Sequence, residues 1–210
     1  MLHLATSLQV DAPPPRATDD EELLAKLRAA SPDAERRFVE ELSPRIERTL
    51  YRILGHYSDL EDLVQEVFIR VFDRLDRVND GASLRAFTTA TTVNVAREAL
   101  RKRARWRWLV LTAPADTPEV EVRAATPEVR AAVVAFYDVV GRLSADERIA
   151  FTLRYVEELE VLEVAAACGL SLSTTKRRLR AAEARFAKLA SNHPELRELL
   201  EEGTCRPRAR

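Results

Sequence analysis

The stretch SDLEDLVQEVFIRVFDRL, residues 58–75, decides the fold, because its pattern predicts an amphipathic helix with two different faces. Its apolar residues follow the i, i+3, i+4, i+7 spacing and share one stripe, which predicts a buried face. Ser58 and Glu61 have the spacing of a capping box, so we expect the helix to begin at Ser58. The stripe consists of Leu60, Leu63, Val64, Val67, Phe68, Val71, Phe72 and Leu75.

The opposite face of this helix carries acidic and polar residues around one apolar side chain. Asp62, Gln65, Glu66 and Asp73 surround Ile69. An acidic surface with an apolar centre favours docking on a basic protein partner, because charge orients the approach and apolar contact adds desolvation. The alternative is an ordinary solvated face, since single exposed apolar residues are common.

The composition predicts an all-α protein. Of the 210 residues 46% are hydrophobic, 32% are charged and only five are Gly, and the abundant Ala, Leu, Glu and Arg favour helix. No apolar run approaches the roughly 18 residues that a membrane span needs, and no signal peptide is recognisable, so we expect a cytoplasmic protein without membrane insertion. Cys168 and Cys205 give no disulfide framework, in keeping with a reducing compartment.

Two basic segments lie within a chain whose net charge is −1. Residues 97–107 and residues 176–188 each contain six basic residues and one acidic residue, a local charge of +5. Two separated basic segments predict two contact points for a polyanion. A solvated helix end is the alternative for the first segment, because the helix dipole favours cations near a C-terminus.

Changes in periodicity divide the chain into five segments. Residues 1–18 are predicted to be a disordered lead-in, and residues 19–108 a first helical domain. Residues 109–126 have no sustained period and predict a linker, residues 127–190 form a second helical domain, and residues 191–210 form a tail. We therefore expect two small helical domains joined by a flexible linker.

The helices of the first domain have recognisable starts. Ser31 is the predicted cap of the second helix, in which Pro44 bends or interrupts the chain. A later helix runs from Ser83 to about Trp108. Its hydroxyl-rich first half, Thr88–Thr92, is expected to offer hydrogen bonds to a nucleic acid, ahead of the basic second half.

The second domain carries the pattern of a helix-turn-helix. Ser144 and Glu147 form a capping box, and a short helix from Glu160 to Cys168 precedes a tight turn at Gly169. A longer basic helix follows and runs to about Leu189, which predicts a DNA-recognition helix. A helical hairpin that does not bind DNA is the alternative. The residues expected to face DNA are Ser173, Thr174, Lys176, Arg177 and Arg180.

Three segments make the chain resemble sigma factors of the extracytoplasmic-function (ECF) group of the sigma-70 family. Asp59–Phe72, DLEDLVQEVFIRVF, resembles the core-binding helix of region 2, and Val93–Arg103, VNVAREALRKR, resembles the region 2 helix that engages the minus-10 promoter element. Leu143–Phe186 resembles region 4, whose helix-turn-helix reads the minus-35 element. The resemblance implies a sigma factor that binds core RNA polymerase and directs promoter recognition and transcription initiation, without enzymatic activity or a cofactor.

The resemblance also implies roles for individual residues. It implies contact with the β′ clamp helices and the β flap of core RNA polymerase, with promoter DNA, and with an anti-sigma factor. Phe87 stands where a Trp is usual, Thr175 where a Val is typical, and Glu183 where a basic residue is common. The candidates for the clamp helices are Asp62, Gln65, Glu66 and Ile69. The candidates for the minus-10 strand are Asn94, Arg97, Glu98, Arg101 and Lys102. Those for the minus-35 duplex are Ser173, Thr174, Lys176, Arg177, Arg178 and Arg180.

Two other classes of protein are open to consideration. A helix-turn-helix regulator would use its first domain only for protein contacts, and charge reversal at Arg101 and Lys102 would then leave open-complex formation unchanged. An enzyme is disfavoured, because His3, His56 and His193 lack metal-ligand spacing and no phosphate loop or nucleophile signature occurs. We therefore assign no catalytic residue and no metal ligand.

Overall fold

The computed structural model describes residues 17–55, 57–109 and 127–196. Within these ranges the chain forms eight α-helices with described bounds, further helical residues at 194–196, one short 3-10 helix and no strand, which confirms the all-α prediction. The predicted linker beyond Leu109 and the tail beyond Leu196 lie outside the described residues. The helices are α1 (Ala17–Arg28), α2 (Pro32–Leu54), α3 (Leu60–Phe72), the 3-10 helix (Leu75–Arg77), α4 (Gly81–Leu109), α5 (Pro127–Gly141), α6 (Ala145–Tyr155), α7 (Val161–Cys168) and α8 (Leu172–Ala190).

The first helix begins slightly earlier than predicted, and the second is continuous. Helix α1 starts at Ala17, two residues inside the segment predicted to be disordered, of which residues 1–16 are not described. Helix α2 passes through Pro44 without a break, so the predicted interruption is wrong. The buried side chains of Leu42 and Ile46 lie on either side of this proline and pack into the core. The free energy gained by burying this apolar face exceeds the cost of the one backbone hydrogen bond that proline cannot donate.

Helix α3 confirms the predicted apolar face and corrects the predicted start. Val67, Phe68 and Val71 are buried in the core of the first half of the chain. The Oγ of Ser58 donates a hydrogen bond to Oδ1 of Asp59 over 2.8 Å, and the helix begins at the following residue, Leu60. The predicted capping box at Ser58 is therefore wrong, because Asp59 occupies the N-cap position and no side chain there accepts a backbone N–H.

The second half of the chain has an aromatic centre and the predicted helix start. Phe151 and Phe186 stack with ring centroids 4.7 Å apart, and Phe136 packs beside both rings. The backbone N–H of Ser144 donates to Oε2 of Glu147 over 3.0 Å, and the N–H of Glu147 donates to Oγ of Ser144 over 3.4 Å. This reciprocal pair confirms the predicted capping box at the start of α6.

The two halves of the chain pack directly on each other. Ile149 and Leu153 of α6 and Val164 of α7 belong to the same hydrophobic cluster as the core residues of α2, α3 and α4. At the edge of this contact, Nη1 of Arg52 lies 3.2 Å from a carboxylate oxygen of Glu157. Helices α6 and α7 therefore lie against the first half of the chain. None of the helices in the described ranges is both long enough and apolar enough to cross a membrane.

Candidate protein and nucleic-acid interfaces

The outer face of α3 presents the acidic surface that the sequence predicts. Asp62 and Gln65 are exposed, and Glu66 is half-buried. Ile69 is 54% exposed, whereas Val67, Phe68 and Val71 of the same helix are buried. The predicted exposure of Ile69 is thus confirmed, and the role of this face in polymerase binding stays a prediction.

One arginine connects this face of α3 to the basic face of α4. Nε of Arg70 donates to Glu66 Oε1 over 2.6 Å, and its two terminal nitrogens donate to the two carboxylate oxygens of Glu98 over 2.8 and 2.7 Å. The hydrogen bonds from Arg70 lower the pKa of the Glu98 carboxyl below its usual value. Arg70 was not among the residues singled out from the sequence, although its position four residues after Glu66 is a signal for a helical ion pair.

The outer face of α4 carries exposed polar and basic residues in its second half. Asn94, Glu98, Arg101 and Lys102 are exposed, and their contact with DNA stays a prediction. Arg97 is different, because only 15% of its side chain is exposed. Its Nη1 donates to Oδ1 of Asn94 over 2.6 Å.

The threonine-rich first half of α4 does not form the hydrogen-bonding face that the sequence suggested. Thr88, Thr91 and Thr92 are buried. Their hydroxyls, and that of Thr89, donate to backbone carbonyls one helical turn earlier over 2.9 to 3.0 Å. The prediction of hydroxyls directed at a nucleic acid is therefore wrong, because bonds back to the preceding turn satisfy these donors within the helix.

Candidate residues from the two halves of the chain meet at one carboxylate. Nε of Arg97 lies 3.0 Å from Oδ1 of Asp146, and a terminal nitrogen of Arg178 lies 3.4 Å from Oδ2 of the same residue. A second nitrogen of Arg97 donates to the backbone carbonyl of Cys168 over 3.4 Å. The structure therefore brings together one minus-10 candidate and one minus-35 candidate. Asp146 was missed from the sequence, since no local pattern predicts a contact between residues so far apart.

The helix-turn-helix is formed as predicted. Gly169 ends α7 in the left-handed region with φ of 65°, which a residue without a Cβ adopts at little cost. Oγ of Ser171 accepts the backbone N–H of Thr174 and caps α8. The candidates of α8 are exposed except for Thr174 and Arg178, which are half-buried; the exposed ones are Ser173, Lys176, Arg177 and Arg180.

The departures from the family pattern in α8 have structural explanations. Thr175 is fully buried, and its hydroxyl donates to the backbone carbonyl of Ser171 over 3.0 Å, so it occupies a core position. Glu183 accepts a hydrogen bond from the hydroxyl of Tyr155 and is therefore engaged with α6. Cys168 is buried, and this burial raises the pKa of its thiol, as expected for a small core residue.

Two family models match the chain, one in each half. The model for Sigma-70 region 2 matches residues 38–106, and the model for Sigma-70, region 4 matches residues 134–186. Together they match more than half of the 210 residues. The chain therefore belongs to the sigma-70 family of RNA polymerase sigma factors.

Similar proteins narrow this assignment to the ECF group. The chain is 30% identical over 146 residues to ECF RNA polymerase sigma factor SigE of Mycolicibacterium smegmatis, across 67% of this chain and 55% of that protein. It is 27% identical over 183 residues to ECF RNA polymerase sigma factor SigC of Mycobacterium tuberculosis, across 85% of this chain and 96% of that protein. The chain thus spans only about half the length of SigE.

A solved structure supports the fold. The sigma factor RpoE, in its complex with the anti-sigma factor NepR from Bartonella quintana, aligns with a TM-score of 0.53 at 23% identity. The alignment covers 74% of this chain and 97% of RpoE. At this level of identity the alignment is evidence for the shared fold alone.

Proposed function

We propose that this chain is an ECF-type sigma factor that binds core RNA polymerase and directs promoter recognition and transcription initiation. The observation that carries the proposal is the exposed Ile69, 54% accessible within the acidic face of the helix that the region 2 model matches. A large apolar side chain on a charged face favours a protein partner, because association removes it from water while the acidic residues select a basic surface. The partner is the pair of β′ clamp helices of core RNA polymerase.

The DNA contacts of the proposal divide between the two halves of the chain. Arg101 and Lys102, both exposed on α4, contact the minus-10 strand. Lys176, Arg177 and Arg180, exposed on α8 directly after the turn, contact the minus-35 duplex, as recognition helices do with their N-terminal halves. Neither half contacts enough phosphates to bind tightly alone, so specificity depends on both halves being held by polymerase.

The packed arrangement has a consequence for DNA binding. Arg97 of α4 is held by Asp146 of α6, which also accepts Arg178 of α8. Promoter binding through Arg97 therefore requires α6 to move away from α4, whereas the pair of Arg178 and Asp146 lies within the second half of the chain. The further partners in this proposal are the β flap of polymerase and an anti-sigma factor, the kind of protein bound to RpoE in its complex with NepR. The chain makes no chemical bonds itself, and it acts in the cytoplasm, where polymerase and promoter DNA lie.

Run-off transcription with purified core enzyme tests the proposed function. Sheared genomic DNA of the source organism serves as template, and sequencing the 5′ ends of the transcripts locates the start sites. The chain should add start sites that share a pair of upstream elements and that core enzyme alone does not use. Absence of such sites, with binding to core intact, would contradict the proposal.

Charge reversal separates the sigma factor from a helix-turn-helix regulator. The double variant Arg101→Glu, Lys102→Glu should abolish the added start sites while leaving attachment to core intact, because both residues are exposed on α4 and neither belongs to the acidic face of α3. Unchanged initiation by this variant would favour the regulator, whose first half makes only protein contacts.

A further inference from the structure

A single acidic residue interrupts the basic outer face of α4. Glu98 lies one helical turn before Arg101 and Lys102 and one turn after Asn94, so these four exposed residues share a face. The next turn adds the exposed Arg105. A free carboxylate in the middle of this face would repel the phosphates that its neighbours attract.

The charge of this carboxylate is neutralised by a residue from another helix. Arg70 of α3 approaches Glu98 end-on, and its two terminal nitrogens meet the two carboxylate oxygens at 2.8 and 2.7 Å. Its third donor, Nε, binds Glu66 at 2.6 Å. The side chain of Arg70 is 28% exposed, so it lies in the groove between the helices and does not extend into solvent.

We propose that Arg70 is a positioning residue that serves both interfaces at once. Its two terminal nitrogens neutralise Glu98 on the DNA-facing side of α4, and its Nε holds Glu66 in place on the polymerase-facing side of α3. The inference rests on the proposed function, since it assumes that these two faces bind DNA and polymerase.

The geometry explains why an arginine is required at this position. Arginine has donors fixed in one plane, which allows two parallel bonds to one carboxylate and a third bond to another. A lysine would supply the charge from a single nitrogen without holding both partners. Arg70→Lys should therefore preserve neutralisation of Glu98 while losing the fixed orientation of Glu66.

The test compares Arg70→Gln, Glu98→Gln and the double variant, all in the full chain. DNA affinity is measured with a random-sequence single-stranded 20-nucleotide probe at low salt, and polymerase affinity with purified core enzyme. Arg70→Gln should weaken DNA binding by about fivefold, because it leaves Glu98 unpaired beside the phosphates. It should also weaken binding to core, because Glu66 loses the donor that holds it.

The double variant distinguishes positioning from simple stabilisation. Removal of the Glu98 charge in the Arg70→Gln background should restore DNA affinity to the level of the unmodified chain, whereas affinity for core should stay reduced. Glu98→Gln alone should keep the affinity for core, since Arg70 still binds Glu66, and should raise the affinity for DNA, since the charge of Arg70 is then no longer neutralised by Glu98.

Three outcomes would overturn the inference. These are unchanged binding of both partners by Arg70→Gln, failure of the second substitution to restore DNA binding, and equal losses of DNA and core binding in a folded Arg70→Lys variant. If Arg70→Gln does not fold, Arg70→Lys takes its place, and reduced core binding with intact DNA binding is the expected result. Failure of the unmodified chain to bind core would instead contradict the proposed function.

Discussion

Replacement of Ile69 by alanine is expected to weaken attachment to core RNA polymerase without affecting the fold. Complete burial of an isoleucine side chain contributes about 1.5–3 kcal/mol. Ile69 is 54% exposed in the free chain, so a partner can bury roughly half of it and gain about 1 kcal/mol. Loss of this contribution corresponds to a roughly fivefold higher dissociation constant.

The assay is a titration of fluorescently labelled chain with purified core enzyme, with thermal unfolding measured in parallel. Ile69→Ala should change the free energy of unfolding by no more than about 0.5 kcal/mol, because the side chain is outside the core. Ile69→Glu should weaken binding further, since a charge would then be desolvated at the contact. Leu172→Ala is the matched control, because Leu172 is also apolar and 38% exposed but lies at the start of the recognition helix.

Unchanged core affinity for both Ile69 variants would refute the reasoning. Equal losses for Ile69→Ala and Leu172→Ala would also refute it, because the effect would then not depend on the acidic face of α3. A fall in affinity that is matched by unfolding of the variants would mean that Ile69 contributes to the fold and is not a docking residue.

Three further substitutions test other parts of the account. Asp146→Asn should raise the affinity of the free chain for random duplex DNA at low salt, because Arg97 and Arg178 lose their shared acceptor; unchanged or weaker binding in an anisotropy titration would contradict this. Gly81→Ala should destabilise the fold by about 1–3 kcal/mol in denaturant unfolding, since a Cβ there would overlap the backbone at the start of α1; wild-type stability would show that this close approach is not essential. Arg148→Met should stabilise the fold by about 1–3 kcal/mol, because Arg148 is buried and its Nε has no hydrogen-bond partner. Burial also lowers the pKa of this arginine to about 10, so the unfolded chain holds its proton more tightly, and the stability advantage of Arg148→Met over the unmodified chain should shrink as the pH rises past 10; an advantage that stays constant would count against the assignment.

Local chemistry explains most of what the sequence could predict. The capping box at Ser144 and the turn at Gly169 depend on residues only a few positions apart, and both form as expected. The failure at Ser58 is equally local, because Ser58 lies one position before the N-cap residue Asp59 and its hydroxyl donates to that neighbouring carboxylate. The threonines of α4 illustrate another limit, since helical periodicity alone does not show that a hydroxyl can bond to its own helix and be buried.

Contacts between distant segments could not be predicted in the same way. The shared acceptor Asp146 lies 49 residues from Arg97, and nothing in either local pattern indicates that they meet. The same holds for Arg70, whose link to Glu98 spans 28 residues and joins two helices that were assigned separate functions. The exposure of Ile69 was predictable, because it follows from the phase of the apolar stripe in a single helix.

The most direct test of the central claim is a photocross-linking measurement from position 69. Ile69 is replaced by p-benzoylphenylalanine, the full chain is mixed with core RNA polymerase and irradiated, and the cross-linked peptides are identified by mass spectrometry. A cross-link to the β′ subunit within its clamp helices is the expected result. Cross-links confined to other subunits, or none at all from a chain that still binds core, would contradict it.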